Sequence, residues 1–133
     1  MVEEAVNGRM MFNQPAGHLE DGESLCAAAV RETLEETGWS VELQHLIGVQ
    51  QWRSTEHGDA VLRFSFAARP LHHHVERALD ADIARVWWLT RAEIAALGDQ
   101  LRSPLILRSI DAWLAGQRLP LEVIDDLDAG LGA

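Results

Sequence analysis

The spacing of apolar and polar residues changes period several times along the chain, and each change marks an expected element. Residues Arg9 to Gln14 read as a short strand ending at Pro15-Ala16-Gly17. A polar turn, Glu20-Asp21-Gly22-Glu23, leads to Ser24, which suits a helix N-cap. The helix it opens runs from about Leu25 to Thr37, and Gly38 suits the left-handed position after its end. Val41, Leu43, Ile47 and Val49 then alternate with polar residues, apart from His45, as in a half-buried strand. His57-Gly58-Asp59 supplies a turn, and Leu62, Phe64, Phe66 and Ala68 form the apolar face of the next strand. Another strand covers Ala84 to Leu89. Thr90 and Glu93 have capping-box spacing for a short helix ending near Gly98. Ser103-Pro104 opens a last helix with Ile106, Ile110 and Trp113 on one side, stopping at Gly116. Strands and helices in this mixed order predict an α/β (mixed α+β) sandwich-like domain.

Composition narrows the class. The chain has 133 residues and 14.8 kDa, room for one domain, with 47% hydrophobic residues to build a core. The longest apolar run, Leu25 to Val30, is too short to span a bilayer. An acidic N-terminus, Met1-Val2-Glu3-Glu4, argues against a secretory signal and for a cytoplasmic protein. Cys26 is alone, so it forms neither an internal disulfide nor a cysteine metal cluster. The formal net charge is −10, with every basic residue an arginine and none of them clustered. Such a surface repels a nucleic-acid polymer but accepts a small phosphorylated ligand held through a divalent cation.

One helix carries chemistry. At 100° per residue, Glu32, Glu35 and Glu36 fall within an arc of about 100°, opposite Ala27, Val30 and Leu34. The three carboxylates therefore point away from the expected core face, with no lysine or arginine at i+4 to pair them. Like charges at this spacing destabilise a helix by a few tenths of a kcal/mol per pair. A divalent cation among them reverses that effect, since Mg²⁺ prefers carboxylate oxygens and bridges them to phosphates. The ordinary alternative is an exposed acidic helix face. Acidic residues do crowd this region: Glu20, Asp21, Glu23, Glu32, Glu35, Glu36 and Glu42 face a single arginine, Arg31.

The wider pattern favours the cation. Gly17, Glu23 and the run Arg31-Glu32-Thr33-Leu34-Glu35-Glu36-Thr37-Gly38-Trp39 resemble the box of the Nudix hydrolases, with Thr33 in a normally apolar slot. The resemblance implies a Nudix fold, a mixed β-sheet sandwiched between helices, with residues 17–39 forming a loop-helix-loop within a single domain over 1–133. It implies Mg²⁺ or Mn²⁺ as cofactor, with Glu32 and Glu36 as direct ligands and Glu35 as a further ligand or holder of metal-bound water. The carbonyl of Ala16 or Gly17 completes the coordination, Glu23 and Arg31 pair to hold the loop, and Gly38 serves the helix end. The general base is Glu32 within the box or a later carboxylate, Glu76, Asp80 or Asp82. Asn13 to Glu20, Gln51-Trp52, Leu62 to Phe64, Leu101 to Leu105 and Gly116 to Glu122 are similar to the NudJ-type group within that family. That likeness implies phosphate release from nucleoside di- and triphosphates or from thiamine-type pyrimidine pyrophosphates. Pyrophosphate release, dinucleoside polyphosphate or capped-RNA hydrolysis, and a non-catalytic nucleotide-binding module are the rivals.

Other residues have two readings each. Arg63, opposite Leu62 and Phe64, either reaches a substrate phosphate or serves as a surface arginine. Trp52 either stacks on a base or packs. Asn13 and Gln14 end a strand beside the box and are placed to contact base or phosphate. His72-His73-His74 reads as a loop, because consecutive side chains point apart. Trp87, Trp88 and Trp113 read as core or packing residues, Cys26 as a small apolar helix residue, and Asp125, Asp126 and Asp128 as a solvated tail. The protein is expected to be a monomer or homodimer. Only residues up to Ala16 precede the first box glycine, and Val2-Glu3-Glu4 reads as the end of a strand. An N-terminal strand or two is therefore expected to be missing.

Overall fold

The computed structural model describes residues 1–54 and 58–127; His57 and Asp128 of the expected turn and tail lie outside them. In chain order the elements are β1 (Val2–Val6), β2 (Arg9–Asn13), α1 (Leu25–Thr37), β3 (Trp39–Arg53), β4 (Ala60–His73), β5 (Ile83–Val86), α2 (Arg91–Ala96) and α3 (Leu105–Leu114). Short 3₁₀ turns at Gly98–Gln100 and Leu121–Val123 complete them. The chain is thus a mixed α+β domain. No helix among the described residues is long and apolar enough to cross a membrane.

Two sheets frame the molecule. The first has the order β2-β1-β5 with antiparallel pairing, and the second is the long β3-β4 ribbon, also antiparallel. Parallel pairing among the described residues is confined to a bridge between Phe12 and Leu101. Both α1 and α3 pack on β3. The core holds Val2, Ala28, Leu46, Ile47, Ile94, Leu105 and Ile106.

Val2-Glu3-Glu4 is not the end of a strand. β1 runs on to Val6 and turns through Asn7-Gly8, both at positive φ, into β2, with Val6 opposite Arg9. An Asn-Gly pair between two short strands is a strong hairpin signal. Its broken alternation hid it, because the adjacent Glu3 and Glu4 interrupt the apolar pattern of β1.

The β3-β4 ribbon corrects three further expectations. Its register shifts between Ser40/Val41, Leu43/His45 and Leu46/Gly48, so strict alternation breaks and Leu46 and Ile47 are both buried. On β4 the apolar face is not the buried one: Leu62 is 63% exposed, whereas Ser65 is 8% exposed and hydrogen-bonds Gln50. The face carrying Arg63 and Ser65 turns inward, because Arg63 reaches Gln14, which in turn bonds Ser109 of α3. His72 and His73 belong to β4, paired with Ser40 and Trp39. His73 stacks on Trp39 at 4.7 Å, while the His72 and His74 rings meet edge-on. Trp88 is 72% exposed and Trp87 is also exposed, so neither is a core residue, but both pack: Trp88 meets Trp39 edge-on and Trp87 lies against the Arg85 guanidinium. Trp113 packs between His45 and the Arg118 guanidinium. Cys26 is a half-buried free thiol in α1.

Candidate active site

Helix α1 presents the carboxylates, and both of its ends are tied. The Ser24 hydroxyl accepts the Ala27 N–H at 3.0 Å, and Gly38, at φ 76°, donates its N–H to the Leu34 carbonyl. Between them lie alanine, leucine and glutamate, all strong helix formers.

The loop ahead of α1 fits against the carboxylates themselves. A Cβ at Gly17 would lie 2.0 Å from the Glu32 Cδ and 2.1 Å from one of its oxygens. Only glycine leaves room for that carboxylate. One residue earlier, the Ala16 N–H donates to Glu36 Oε2 at 2.8 Å. Ala16 and Gly17 therefore seat Glu36 and Glu32.

Arg31 gathers the rest. Its Nε donates to Glu23 at 2.6 Å and its Nη2 to the other Glu23 oxygen at 3.0 Å. Nη2 also reaches the His18 carbonyl. Nη1 donates to Glu32 at 2.9 Å and to Glu35 at 3.0 Å, with Glu20 at 3.5 Å. These bonds to Glu23 hold its carboxyl below the usual range and the guanidinium above its own. The helix carboxylates are thus not unpaired: the arginine lies four residues before Glu35, not after it.

Glu36 is different. It is buried rather than exposed, having turned inward beneath the loop. Burial first, and then the charges of Glu32, Glu4 and Asp80, push its pKa up to about 7 against the opposing effect of the Ala16 N–H. Glu4 and Asp80 come from other elements. Asp80 is carried by the segment after β4, whose backbone N–H bonds the Glu35 carbonyl at 3.1 Å. One oxygen each from Glu32, Glu35 and Asp80 lie within 4.8 Å of one another. An all-oxygen, multiply anionic donor set with the bare Gly17 against it suits a hard divalent cation.

Asp82 and Glu76, the other late carboxylates, are exposed and outside this group; the Asp82 carbonyl instead accepts the Ala5 N–H. Asn13 is buried, its side chain accepting the Gln14 N–H. The Gln14 side chain joins Arg63 to Ser109. Trp52 is half-buried and lines a groove of about 500 Å³ with Gln50, Leu105 and Arg108. Sequence reasoning missed Glu4 and Arg102, which form an ion pair at 2.5 Å. The available signal was Glu4 itself, a carboxylate on the same side of β1 as the buried Val2.

With this geometry in place, comparison with known proteins defines the class. The NUDIX domain family matches residues 3–109, and the chain belongs to the Nudix hydrolase family. It is similar to the Phosphatase NudJ of Escherichia coli strain K12 and that of Shigella flexneri. Each is 43% identical over 128 residues, covering 96% of this chain and 82% of the relative. Among solved structures, a NUDIX hydrolase from Nitrosomonas europaea superposes with a TM-score of 0.93 at 40% identity, covering 96% of this chain and 87% of that one. The protein is accordingly a Nudix phosphohydrolase.

Two outcomes follow from the packing. Gly17→Ala displaces the flexible Glu32 carboxylate and leaves the backbone in place. The variant should melt close to wild type, yet titration calorimetry should show Mg²⁺ affinity reduced at least about tenfold. The second concerns Glu36. A carboxyl whose folded pKa lies above its unfolded value contributes stability below the unfolded value and loses it as pH rises through about 7. Without divalent cation, Glu36→Gln should therefore exceed wild type in stability at pH 8 by about 1–3 kcal/mol. Urea denaturation should show the gap closing toward pH 5, and added Mg²⁺ should favour wild type.

Proposed function

We propose that this enzyme hydrolyses phosphoanhydride bonds in small nucleoside di- and triphosphates or thiamine-type pyrimidine pyrophosphates, releasing phosphate with the help of Mg²⁺ or Mn²⁺. The observation that carries the reading is the carboxylate group of Glu32, Glu35 and Asp80, with Glu36 beside it and Gly17 cleared to admit Glu32. The name of the relatives, a phosphatase, supports phosphate as product.

In this reading Glu32, Glu35 and Glu36 hold the divalent ion, with Ala16 and Gly17 at the same place. When bound, the ion neutralises phosphate charge and acidifies water. Arg31 restrains Glu32 and Glu35 in fixed rotamers and, with Glu23, fastens the loop to the helix, while Gly38 ends that helix where β3 must begin. Asp80 is the proton acceptor: it is exposed, stands with Glu32 and Glu35, and makes no ion pair among the described residues, whereas Glu32 is committed to Arg31. Its carboxylate takes the proton of the attacking water and returns it to solvent. Trp52 offers a flat apolar surface for the organic ring, and Arg63 and Gln14 lie toward the phosphates with Asn13 fixing the strand end. The three box glutamates all being present argues against a module that only binds nucleotides.

A substrate panel with product identification tests this directly. With Mg²⁺ the enzyme should release inorganic phosphate from nucleoside diphosphates and pyrimidine pyrophosphates; cleavage of none of them would leave a binding module as the better account. Glu36→Gln should lower kcat by orders of magnitude. Asp80→Asn should lower it by about 10²- to 10⁴-fold. Asp82→Asn and Glu76→Gln should stay within about threefold of wild type, as expected of solvent-facing charges away from the chemistry.

A further inference from the structure

Helix α3 ends in a glycine turn that sends the chain back against β3. Gly116 stands at φ 93°, its N–H bonds the Trp113 carbonyl, and the Gln117 N–H returns to the Ala112 carbonyl, each at 3.0 Å. Two residues on, Leu119 and Leu46 exchange both backbone bonds, at 2.8 and 3.0 Å. Gln117 is thus pinned on both sides. Its side chain meets a gap in the β3-β4 ladder. Leu46 pairs with Phe66 and Gly48 with Ser65, so Ile47 has no cross-strand partner. The Gln117 Nε2 donates to the Ile47 carbonyl at 2.7 Å. A Cβ at Gly48 would lie 3.0 Å from that nitrogen, so the bare glycine makes room for it.

This bond fixes which end of the carboxamide is on offer. A free glutamine side chain can turn over and present either its oxygen or its nitrogen. Here a flip would set Oε1 against the Ile47 oxygen, two acceptors with no proton between them. Nε2 therefore stays on Ile47, and no group among the described residues donates to Oε1. Gln117 lines the same groove as Trp52, Gln50, Leu105 and Arg108. Helix α3 ties that groove to the carboxylates: Ser109, next to Arg108, holds Gln14, which leads into the Ala16-Gly17 loop.

We propose that Gln117 is a specificity residue for the organic ring. With the ring on Trp52, the locked Oε1 accepts a hydrogen bond from an exocyclic amino group and opposes a carbonyl at the same position. The second Nε2 proton is left for the ring nitrogen beside that amine, the pairing by which glutamine reads adenine. This rests on the hydrolase reading above and deepens it. The substrate class becomes diphosphates of amino-bearing heterocycles, in preference to oxo-bearing rings of the same shape.

Two pairs of substrates isolate the ring edge: cytidine against uridine diphosphate, and adenosine against inosine diphosphate. Within each pair the sugar and the diphosphate are shared. Wild type should favour the amino member by about 10-fold in Mg²⁺-supported kcat/KM, carried by KM. Gln117→Met, of similar length but without hydrogen-bonding groups, should bring both ratios to within about twofold of one. Gly48→Ala, which crowds the amide nitrogen, should lower them in part. A Gln117 that only caps the Ile47 carbonyl predicts a lower melting temperature and slower turnover of all four substrates with both ratios unmoved. That result, or a wild type without an amino preference, would overturn the proposal. Calorimetry with the uncleavable methylene analogues of the four separates this from catalysis. An amino preference in binding that Gln117→Met abolishes, in a protein that cleaves none of the four substrates, would support the specificity role while refuting the hydrolase reading.

Discussion

One guanidinium organises the centre of this molecule. Arg31 bonds Glu23 from the loop and Glu32 and Glu35 from its own helix, and it reaches the His18 carbonyl as well. A single positive charge cannot neutralise that many carboxylates, and Glu36, Glu4 and Asp80 add to the same field. The site is therefore held together and left anionic at once. Its geometry is fixed by Arg31, and its remaining negative charge is what a divalent cation would relieve.

The rest of the fold brings further groups to that field from distant parts of the chain. β1 delivers Glu4, the segment before β5 delivers Asp80, and the loop after β2 delivers the Ala16 amide and the bare Gly17. Antiparallel pairing of β1 with both β2 and β5 places these contributions side by side. Glu4 is itself paired with Arg102, and Trp52 lines a groove with Gln50, Leu105 and Arg108.

The box was legible because it is local. Its residues lie on one loop and one helix, so spacing alone set Glu32, Glu35 and Glu36 on neighbouring turns and placed the Ser24 and Gly38 caps. What spacing missed depends on tertiary approach. Helical angles put Glu36 on an outer face, yet the Ala16-Gly17 loop folds over it and buries it. Likewise, the apolar alternation of Leu62, Phe64 and Phe66 suggested the wrong face of β4, because Arg63 and Ser65 find polar partners inside. His72 and His73 lie in β4, which nothing local announces because their partners Ser40 and Trp39 start β3, while His74 falls outside the strand. Glu4 and Arg102 lie 98 residues apart, and only the assembled sheet joins them.

If the carboxylates gathered by Arg31 form a cation site, Mg²⁺ stabilises the fold through them. The most direct measurement is the thermal midpoint of the wild-type chain at pH 8, followed across increasing Mg²⁺ concentration beside Glu32→Gln. A specific site predicts a midpoint that climbs steadily with the logarithm of Mg²⁺ above its dissociation constant in wild type and stays nearly flat in the variant. Parallel behaviour of the two proteins, or no rise in either, would contradict it.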